Sequence, residues 1–145
     1  MKKKLIMLLL LVGASIAFTA CSSEDSSTGD SSGNLIGKWE NFQEGSFVNG
    51  QEVLFPYEHA VGCSKDNLQF LAGGVFKEYS YDNFNTPCEL YFSTGPWTRV
   101  GDIITISASG FTNNAEILVL DSTTLKVKYE LFGDIMIDVY KRVGN

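Results

Sequence analysis

Two neighbouring segments near the end of the chain alternate apolar and polar residues with a period of two. One is Thr124–Leu131, read TLKVKYEL, and the other spans 134–142, read DIMIDVYKR, in which Ile135, Ile137 and Val139 share one face. A period of two is typical of a strand with one buried face. The Phe132-Gly133 step between the segments suits a tight hairpin. This stretch therefore predicts paired antiparallel strands.

Six further segments read as strands, and they are separated by turn signals rich in glycine, asparagine and aspartate. These segments are 35–42, 67–71, 75–81, 89–99, 102–107 and 115–120. Connections this short join antiparallel neighbours, because a parallel crossover needs a dozen or more residues. The exception is 43–65, a long insertion that contains the candidate hairpin turn Asn49-Gly50 and is interpreted as a lid or a flap.

Eight antiparallel strands in sequential order favour an all-β fold, a small up-and-down barrel. Closure of the barrel removes the exposed edges that an open sheet would leave. The rival architecture is an immunoglobulin-like sandwich, which places a tryptophan between two widely spaced cysteines. Here Trp97 follows Cys88, and Cys63 and Cys88 are close in sequence. The barrel is the better prediction.

The first twenty residues have the layout of a secretory signal peptide. Lys2, Lys3 and Lys4 precede an uncharged apolar run over 5–18, and small residues follow. A helix of about 20 residues is needed to cross a bilayer, so this run is too short for a permanent span. We expect residues 1–20 to be removed.

Phe18-Thr19-Ala20-Cys21 resembles the lipobox of bacterial lipoproteins, in which the cysteine thiol receives a lipid and becomes the new N-terminus. The resemblance implies lipid attachment at Cys21 and membrane anchoring through that lipid. The alternative is an ordinary secretory signal cleaved near Ala20. Residues 21–34 contain no apolar side chain after the cysteine and predict a flexible acidic tether.

The acidic pair Glu24-Asp25 behind the cysteine resembles an export tag of Gram-negative outer-membrane lipoproteins, although a plain solvated spacer would look the same. The expected location is the outer membrane, with the domain at the cell surface or on the periplasmic face. Removal of residues 1–20 leaves eight basic and seventeen acidic residues, a net charge of about −9. Such a charge excludes nucleic acid as a partner.

If Cys21 carries lipid, Cys63 and Cys88 are the two remaining thiols. An exported domain meets an oxidising environment, and we expect these two residues to form a disulfide. Two alternatives remain open: a pair of buried free thiols, or a metal site that also uses His59. No metal and no cofactor are expected otherwise.

Leu35-Ile36-Gly37-Lys38-Trp39 resembles the Gly-x-Trp opening of lipocalins. The order of later motifs is similar to that of the small lipocalin-like domain lipoproteins of Gram-negative bacteria. These motifs are Cys63, Asp66-Asn67-Leu68-Gln69-Phe70, Cys88, Gly95-Pro96-Trp97 and Gly101-Asp102-Ile103-Ile104. The resemblance implies a lipocalin-like barrel domain over 35–145 and, with it, a candidate site for one small apolar ligand.

The same resemblance implies a barrel floor in which Arg142, from the last strand, stacks on Trp39 beside Gly37. Seventeen of the eighteen aromatic residues follow the signal segment, and rings often line ligand-binding barrels. The candidate ligand-lining residues are Phe70, Phe76, Glu78, Tyr79, Phe92, Trp97 and Tyr129.

An eight-stranded barrel is either filled by its own side chains or hollow enough for one small ligand. A chain this short favours the filled core over a usable cavity. The segment 75–81, read VFKEYSY, carries Lys77 on one face and Glu78 on the other, so either inner face points a charge towards the interior. The charge either takes part in ligand recognition or reaches water at the rim; the rim is the favoured interpretation.

The sequence does not indicate an enzyme. His59 is the only histidine, lies in a predicted loop where we expect it to be solvated, and has no zinc-ligand spacing around it. No Gly-x-Ser-x-Gly elbow or glycine-rich phosphate loop occurs.

Two functional hypotheses follow. The first is a lipid-anchored lipocalin-like carrier or sensor of a small apolar molecule. The second is a filled-barrel interaction module or accessory subunit of the cell envelope, which meets a protein or glycan partner through an outer surface or through the 43–65 insertion.

Overall fold

The computed structural model describes residues 34–85 and 87–144. The predicted signal peptide, Cys21 and all but the last residue of the tether lie outside these ranges. The described residues contain nine strands and no helix. The strands are β1 (Gly37–Val48), β2 (Gln51–Pro56), β3 (Asn67–Leu71), β4 (Val75–Asp82), β5 (Glu89–Val100), β6 (Ile103–Ala108), β7 (Phe111–Leu120), β8 (Thr124–Leu131) and β9 (Asp134–Val143). No helix in the described ranges has the length and apolarity to cross a bilayer.

Eight of these strands close into an antiparallel barrel. From β3 to β9 each strand pairs with the next, and β1 closes the ring by pairing with β3 on one side and β9 on the other. The sequence predicts this closed, all-β, up-and-down barrel, and the prediction is confirmed.

The ninth strand, β2, lies within the 43–65 insertion, where the sequence predicts a lid or flap with a turn. Asn49 and Gly50 both have positive φ angles, 51° and 77°, which suit a two-residue hairpin turn. The turn returns the chain along the second half of β1, and the register runs from Gln43 opposite Pro56 to Val48 opposite Gln51. The insertion is thus a continuation of β1 and a hairpin.

The hairpin of β1 and β2 folds over the outside of the barrel. The pairing of β1 with β9 shifts in register between Asn41 and Gln43, and a bulge of this kind bends a strand. Beyond the bend, a side chain at Gly45 would collide with the backbone of Val53, so glycine permits the close approach of β2.

The hairpin buries apolar residues on the outer face of β9. Ile137 is 0% exposed and Val139 is 6% exposed, yet neither belongs to the interior core cluster. Glu52 of β2 forms an ion pair with Lys126 of β8, which lies opposite Val139. The hairpin therefore reaches across β9, and both faces of that strand are covered.

Large side chains fill the lower part of the barrel. Trp39, Phe70, Ile104 and Leu125 are almost completely buried. They form one cluster with the partly buried Trp97. This apolar core lies at the end of the barrel that contains the start of β1 and the β3–β4, β5–β6 and β7–β8 turns. We call this end the floor, and the opposite end the mouth.

Candidate ligand-binding cavity

The floor of the barrel is sealed by Trp39 and Arg142. The Trp39 indole is 0% exposed and its Nε1–H donates to the Leu35 carbonyl oxygen at 2.8 Å. The guanidinium carbon of Arg142 lies 4.0 Å from the centroid of the Trp39 ring, within range of a cation–π contact. Arg142 also donates to the Ile36 carbonyl at 2.9 Å and to the Asn34 carbonyl. These bonds tie the last strand to the chain that enters the barrel.

Gly37 gives the guanidinium of Arg142 its space. Its φ angle is +148°, and a Cβ atom at this position would collide with Nη1 of Arg142. The glycine of the Gly-x-Trp motif therefore serves both the backbone conformation and the approach of the arginine. The three floor residues singled out from the sequence lie together in the structure.

Above this floor the barrel is hollow. The cavity has a volume of about 670 Å³ and opens at the mouth. Its wall is mainly aliphatic and aromatic, with Leu68, Phe70, Ile104, Ile106 and Val127 among the lining residues. Ligand pockets of about 300 to 1,000 Å³ bury most of a drug-sized molecule. The sequence-based preference for a completely filled core is therefore wrong.

Four of the seven predicted lining residues do line the cavity. They are Phe70, Phe76, Glu78 and Tyr129. Glu78 lines the cavity and is exposed to solvent, so its charge reaches water, which agrees with the interpretation favoured from the sequence. It is a charged group on the cavity wall.

The remaining three predicted lining residues lie elsewhere. Because Phe76 and Glu78 point inward, strand alternation turns Tyr79 outward. Tyr79 pairs there with Phe92, with their ring centroids 5.1 Å apart, and Phe92 is 50% exposed. Trp97 points inward but lies below the cavity, edge-on to Phe70 at 5.3 Å, and its Nε1–H donates to the Leu71 carbonyl at 3.2 Å.

Two polar residues of the cavity, Asp138 and Tyr140, were not predicted from the sequence. The hydroxyl groups of Tyr129 and Tyr140 both donate to Oδ2 of Asp138, each at 3.0 Å. In the DIMIDVYKR segment these residues alternate with Ile135, Ile137 and Val139, and it is the aspartate and tyrosine face that lines the cavity. The alternation of apolar and polar residues in this segment predicts the strand, but it does not show which of the two faces points into the barrel.

Burial raises the pKa values of this group of residues. Desolvation raises the pKa of the Asp138 carboxyl, while the hydrogen bonds from Tyr140 and Tyr129 oppose that increase. Desolvation also raises the pKa of Glu78, and the negative charges of Asp138 and Asp66 add to the effect. The pKa values of the Tyr129 and Tyr140 hydroxyls are raised mainly by burial. Both phenols therefore remain protonated donors at neutral pH.

The charges on the cavity wall have one sign. Glu78 and Asp138 line the cavity, Glu130 contributes at its mouth, and no lysine, arginine or histidine is among the lining residues that the structure describes. The lysines of β8 face the outside, where Lys126 pairs with Glu52 and Lys128 pairs with Glu116. The interior is therefore apolar with an acidic zone.

Apolar side chains surround the entrance. Phe111 follows the β6–β7 turn, Phe132 forms the β8–β9 turn, and both contribute to the cavity lining. They are 73% and 99% exposed. An apolar molecule that reaches the mouth therefore meets aromatic surface before it enters.

The connection after β2 is fixed to the mouth by a disulfide. Cys63 and Cys88 are bonded, with their Cα atoms 5.2 Å apart, and the predicted pairing is confirmed. The bond links the 57–66 segment to the β4–β5 connection. The two alternatives, free thiols and a metal site with His59, are excluded for these cysteines.

Asp66 holds the same segment from within. It is 4% exposed, and its carboxylate accepts hydrogen bonds from the Tyr57 hydroxyl at 2.6 Å and from the Tyr81 backbone N–H at 2.8 Å. His59 Nδ1 accepts from the Asp66 backbone N–H at 3.1 Å, while Nε2–H donates to the Asn41 carbonyl at 3.0 Å. The expectation of a solvated His59 is wrong, because the ring bridges two backbone groups.

No group of three or more histidine, cysteine, aspartate or glutamate side chains in the described ranges is arranged to hold a metal ion. The polar lining residues are Asp138 with its two tyrosine donors, the two further carboxylates Glu78 and Glu130, and the uncharged Ser93, Ser109, Asn113 and Asn114. What this arrangement offers is hydrogen bonding and negative charge within an apolar wall.

The model of the lipocalin-like domain family matches residues 35–127, from the start of the barrel into β8. The chain belongs to this family. The lipocalin-like resemblance drawn from the sequence is thereby confirmed, and β9, which lies beyond the match, supplies both Arg142 and Asp138. A comparison with curated proteins finds no match.

Solved structures resemble this chain at low sequence identity. An uncharacterised protein from Bacteroides eggerthii DSM 20697 is 11% identical, with a TM-score of 0.53 over 76% of this chain and 100% of its own. The siderocalin Ex-FABP, described as functioning through dual ligand specificities, is 14% identical, with a TM-score of 0.44 over 75% and 74% of the two chains. A deswapped triple mutant of bovine odorant binding protein is 17% identical, with a TM-score of 0.44 over 77% and 75%.

Proposed function

We propose that this protein is a lipid-anchored lipoprotein of the outer membrane whose lipocalin-like barrel carries or senses a small apolar ligand. The observation that supports ligand binding is the cavity of about 670 Å³ above a sealed floor. An apolar wall gains free energy when it removes an apolar molecule from water, at roughly 25 cal/mol per Å² of buried surface. The aromatic side chains at the mouth provide the route of entry.

The anchoring part of the proposal depends on the N-terminal sequence. The cationic head, the apolar run and Cys21 follow the order of a lipoprotein signal, and Glu24-Asp25 follows the cysteine. Lipid on Cys21 would keep the barrel beside a membrane, where apolar molecules are concentrated. The proposed role is binding and delivery without catalysis.

The interaction-module hypothesis in its filled-barrel form disagrees with the cavity. A protein or glycan partner remains a second candidate because the hairpin exposes apolar residues: Phe47 is 37% exposed, Val48 50% and Phe55 61%. Crosslinking on intact cells tests this candidate. A defined heteromeric product that is lost in Phe55→Ser would support it, and recovery of monomer alone would count against it.

Ligand binding is best tested with an extrinsic probe. Neither Trp39 nor Trp97 lines the cavity, so quenching of tryptophan fluorescence would be an indirect reporter. We expect the uncharged dye N-phenyl-1-naphthylamine to show a saturable increase in fluorescence with the purified full chain. A panel of lipids and bile salts should displace it. The absence of saturable dye binding by folded protein would contradict the binding function.

The anchor is tested separately by metabolic labelling. The wild type should incorporate labelled palmitate and fractionate with the outer membrane, whereas Cys21→Ala should lose both properties. Cys63→Ala is the matched control, since it removes a different cysteine and should keep the label. Unchanged labelling of Cys21→Ala would overturn the proposed anchor.

A further inference from the structure

We propose that the cavity selects a cationic amphiphile, a molecule with an apolar body and a protonated amine that pairs with the carboxylates of Asp138 and Glu78. This inference rests on the proposed ligand-binding function and specifies the chemical class of the ligand. It starts from the sign of the charges on the cavity wall, which are all acidic among the described lining residues.

The Asp138 carboxylate is held in place with one oxygen left for a ligand. Both tyrosine hydroxyls donate to Oδ2, which fixes the orientation of the carboxylate against β8 and β9. No donor among the described residues reaches Oδ1, although the residue lines the cavity. A carboxylate in a partly desolvated wall binds an ammonium group more strongly than it would in water, because the local dielectric constant is lower.

Glu78 supplies a second negative charge on the same wall. It forms no ion pair or hydrogen bond with another described side chain, and it lines the same cavity as Asp138. Two carboxylates that line one cavity repel each other when no cation lies on its wall. A single positive charge placed between them would relieve this repulsion.

The surroundings of the two carboxylates favour an organic cation over a hydrated metal ion. Phe76, Leu68 and Val127 line the cavity with the two carboxylates and offer no side-chain oxygen, and no group of three or more histidine, cysteine, aspartate or glutamate side chains in the described ranges could hold a metal ion. The ring faces of Phe76 and Tyr129 can also attract an ammonium group. An alkyl or aryl amine can place its apolar part against these side chains while its nitrogen reaches the carboxylates.

The same charges select against anionic ligands. The carboxylate of a fatty acid would approach Asp138 and Glu78 with no basic residue on the cavity wall to compensate. Specificity of this kind comes from repulsion of the wrong ligand as much as from attraction of the right one.

The test compares three probes with the same alkyl chain: decylamine, decan-1-ol and decanoate. Each is titrated at neutral pH against the folded full chain loaded with N-phenyl-1-naphthylamine. We expect decylamine to displace the dye at a concentration at least about tenfold lower than decan-1-ol, and decanoate to be the weakest of the three. This comparison needs only the wild type and does not depend on how a variant folds.

Variants then locate the preference for the amine. Asp138→Asn and Glu78→Gln keep the side-chain shape and remove a charge, and each should reduce the advantage of decylamine over decan-1-ol. Glu116→Gln is the matched control, because it removes the same charge from the outer surface, where Glu116 pairs with Lys128. It should leave the preference unchanged. Thermal melts establish that each variant is folded.

The outcomes separate this inference from the proposed function. Displacement by decan-1-ol with no preference for decylamine would overturn the inference and leave the apolar binding function in place. A preference that survives in both Asp138→Asn and Glu78→Gln would also overturn it. Absence of dye binding to the folded wild type would overturn both.

Discussion

The two ends of the barrel are built from the same strands, yet one is filled and the other is hollow. At the floor, Trp39, Phe70 and Trp97 occupy the interior with three large ring systems. Nearer the mouth, the inward positions hold small side chains such as Ser93, Ala108 and Ala115. The strand count is the same at both ends, so the difference in side-chain volume creates the cavity.

The two ends also differ in their charges. The floor has a cation, Arg142, stacked outside a buried indole and bound to backbone carbonyls. The cavity has carboxylates, of which Asp138 has two hydroxyl donors and Glu78 has no partner among the described side chains. The charged group of the floor is paired within the protein, whereas the cavity contains negative charge that no described cation neutralises. This contrast suits the floor to stability and, under the proposed function, the cavity to ligand recognition.

The largest effect on stability is expected at the floor. Trp39→Ala should lower the free energy of unfolding by about 3 to 5 kcal/mol, because it removes a completely buried ring and leaves a void. Urea denaturation measures the loss. Phe132→Ala at the mouth is the control, and its 99% exposure predicts a change below about 0.5 kcal/mol. Equal losses in the two variants would remove the distinction between the ends.

The next effect concerns the disulfide at the mouth. Replacement of both Cys63 and Cys88 by serine should lower the free energy of unfolding by about 3.5 kcal/mol, since the bond closes a sequence separation of 25 residues in the unfolded chain. Denaturation of wild type and variant under oxidising conditions measures this loss. Treatment of the wild type with a reductant should reproduce it. A double variant as stable as the oxidised wild type would contradict the prediction.

A smaller effect is expected at Asp66. Asp66→Ala removes the acceptor of the Tyr57 hydroxyl and the Tyr81 backbone N–H, and it should cost about 2 to 3 kcal/mol. Tyr57→Phe removes one of these donors and should cost about 1 kcal/mol. Hydrogen exchange should show faster opening of 57–66 in Asp66→Ala than in Tyr57→Phe. The reverse order would show that Asp66 does not hold this segment.

The smallest effect is a gain in stability instead of a loss, and it depends on pH. The pKa of Asp138 is raised by burial, so the folded state prefers the protonated carboxyl. This preference stabilises the folded state fully below the ordinary aspartate pKa of 3.8, and the stabilisation is lost as the pH rises through the raised pKa of Asp138. Asp138→Asn should therefore melt at a slightly higher temperature than wild type at pH 7.5, and the difference should vanish at low pH. The prediction would be contradicted if the melting temperature of Asp138→Asn, compared with that of wild type, were lower at pH 7.5 than at low pH.

Much of the fold could be predicted from local sequence. The alternation in 124–131, the turn residues and the Gly-x-Trp opening are local signals, and each lies in the expected place. The β1–β2 hairpin was harder to predict because only Asn49-Gly50 marks it, and its strands depend on a bulge near Phe42 and on the close approach at Gly45.

The site was less predictable, for a physical reason. The usual rule assigns the apolar face of a strand to the interior, but the hairpin covers the outer face of β9 and buries Ile137 and Val139 there. The polar face with Asp138 and Tyr140 is then free to line the cavity. Likewise, Tyr79 and Phe92 point outward because Phe76 and Glu78 occupy the inner positions of β4. The inward side chains of all eight strands together determine the cavity volume, so the pattern of a single strand cannot predict it.

The contrast between a filled floor and a hollow mouth is tested most directly by filling the cavity. Dye titration with N-phenyl-1-naphthylamine should show saturable binding by wild type and by Thr98→Trp, which adds an indole at an exposed position of β5. Ala115→Trp, which places the same indole on the cavity wall, should weaken dye binding by about tenfold or more while the protein remains folded. Unchanged binding by Ala115→Trp would show that the dye binds outside the barrel and would contradict the account.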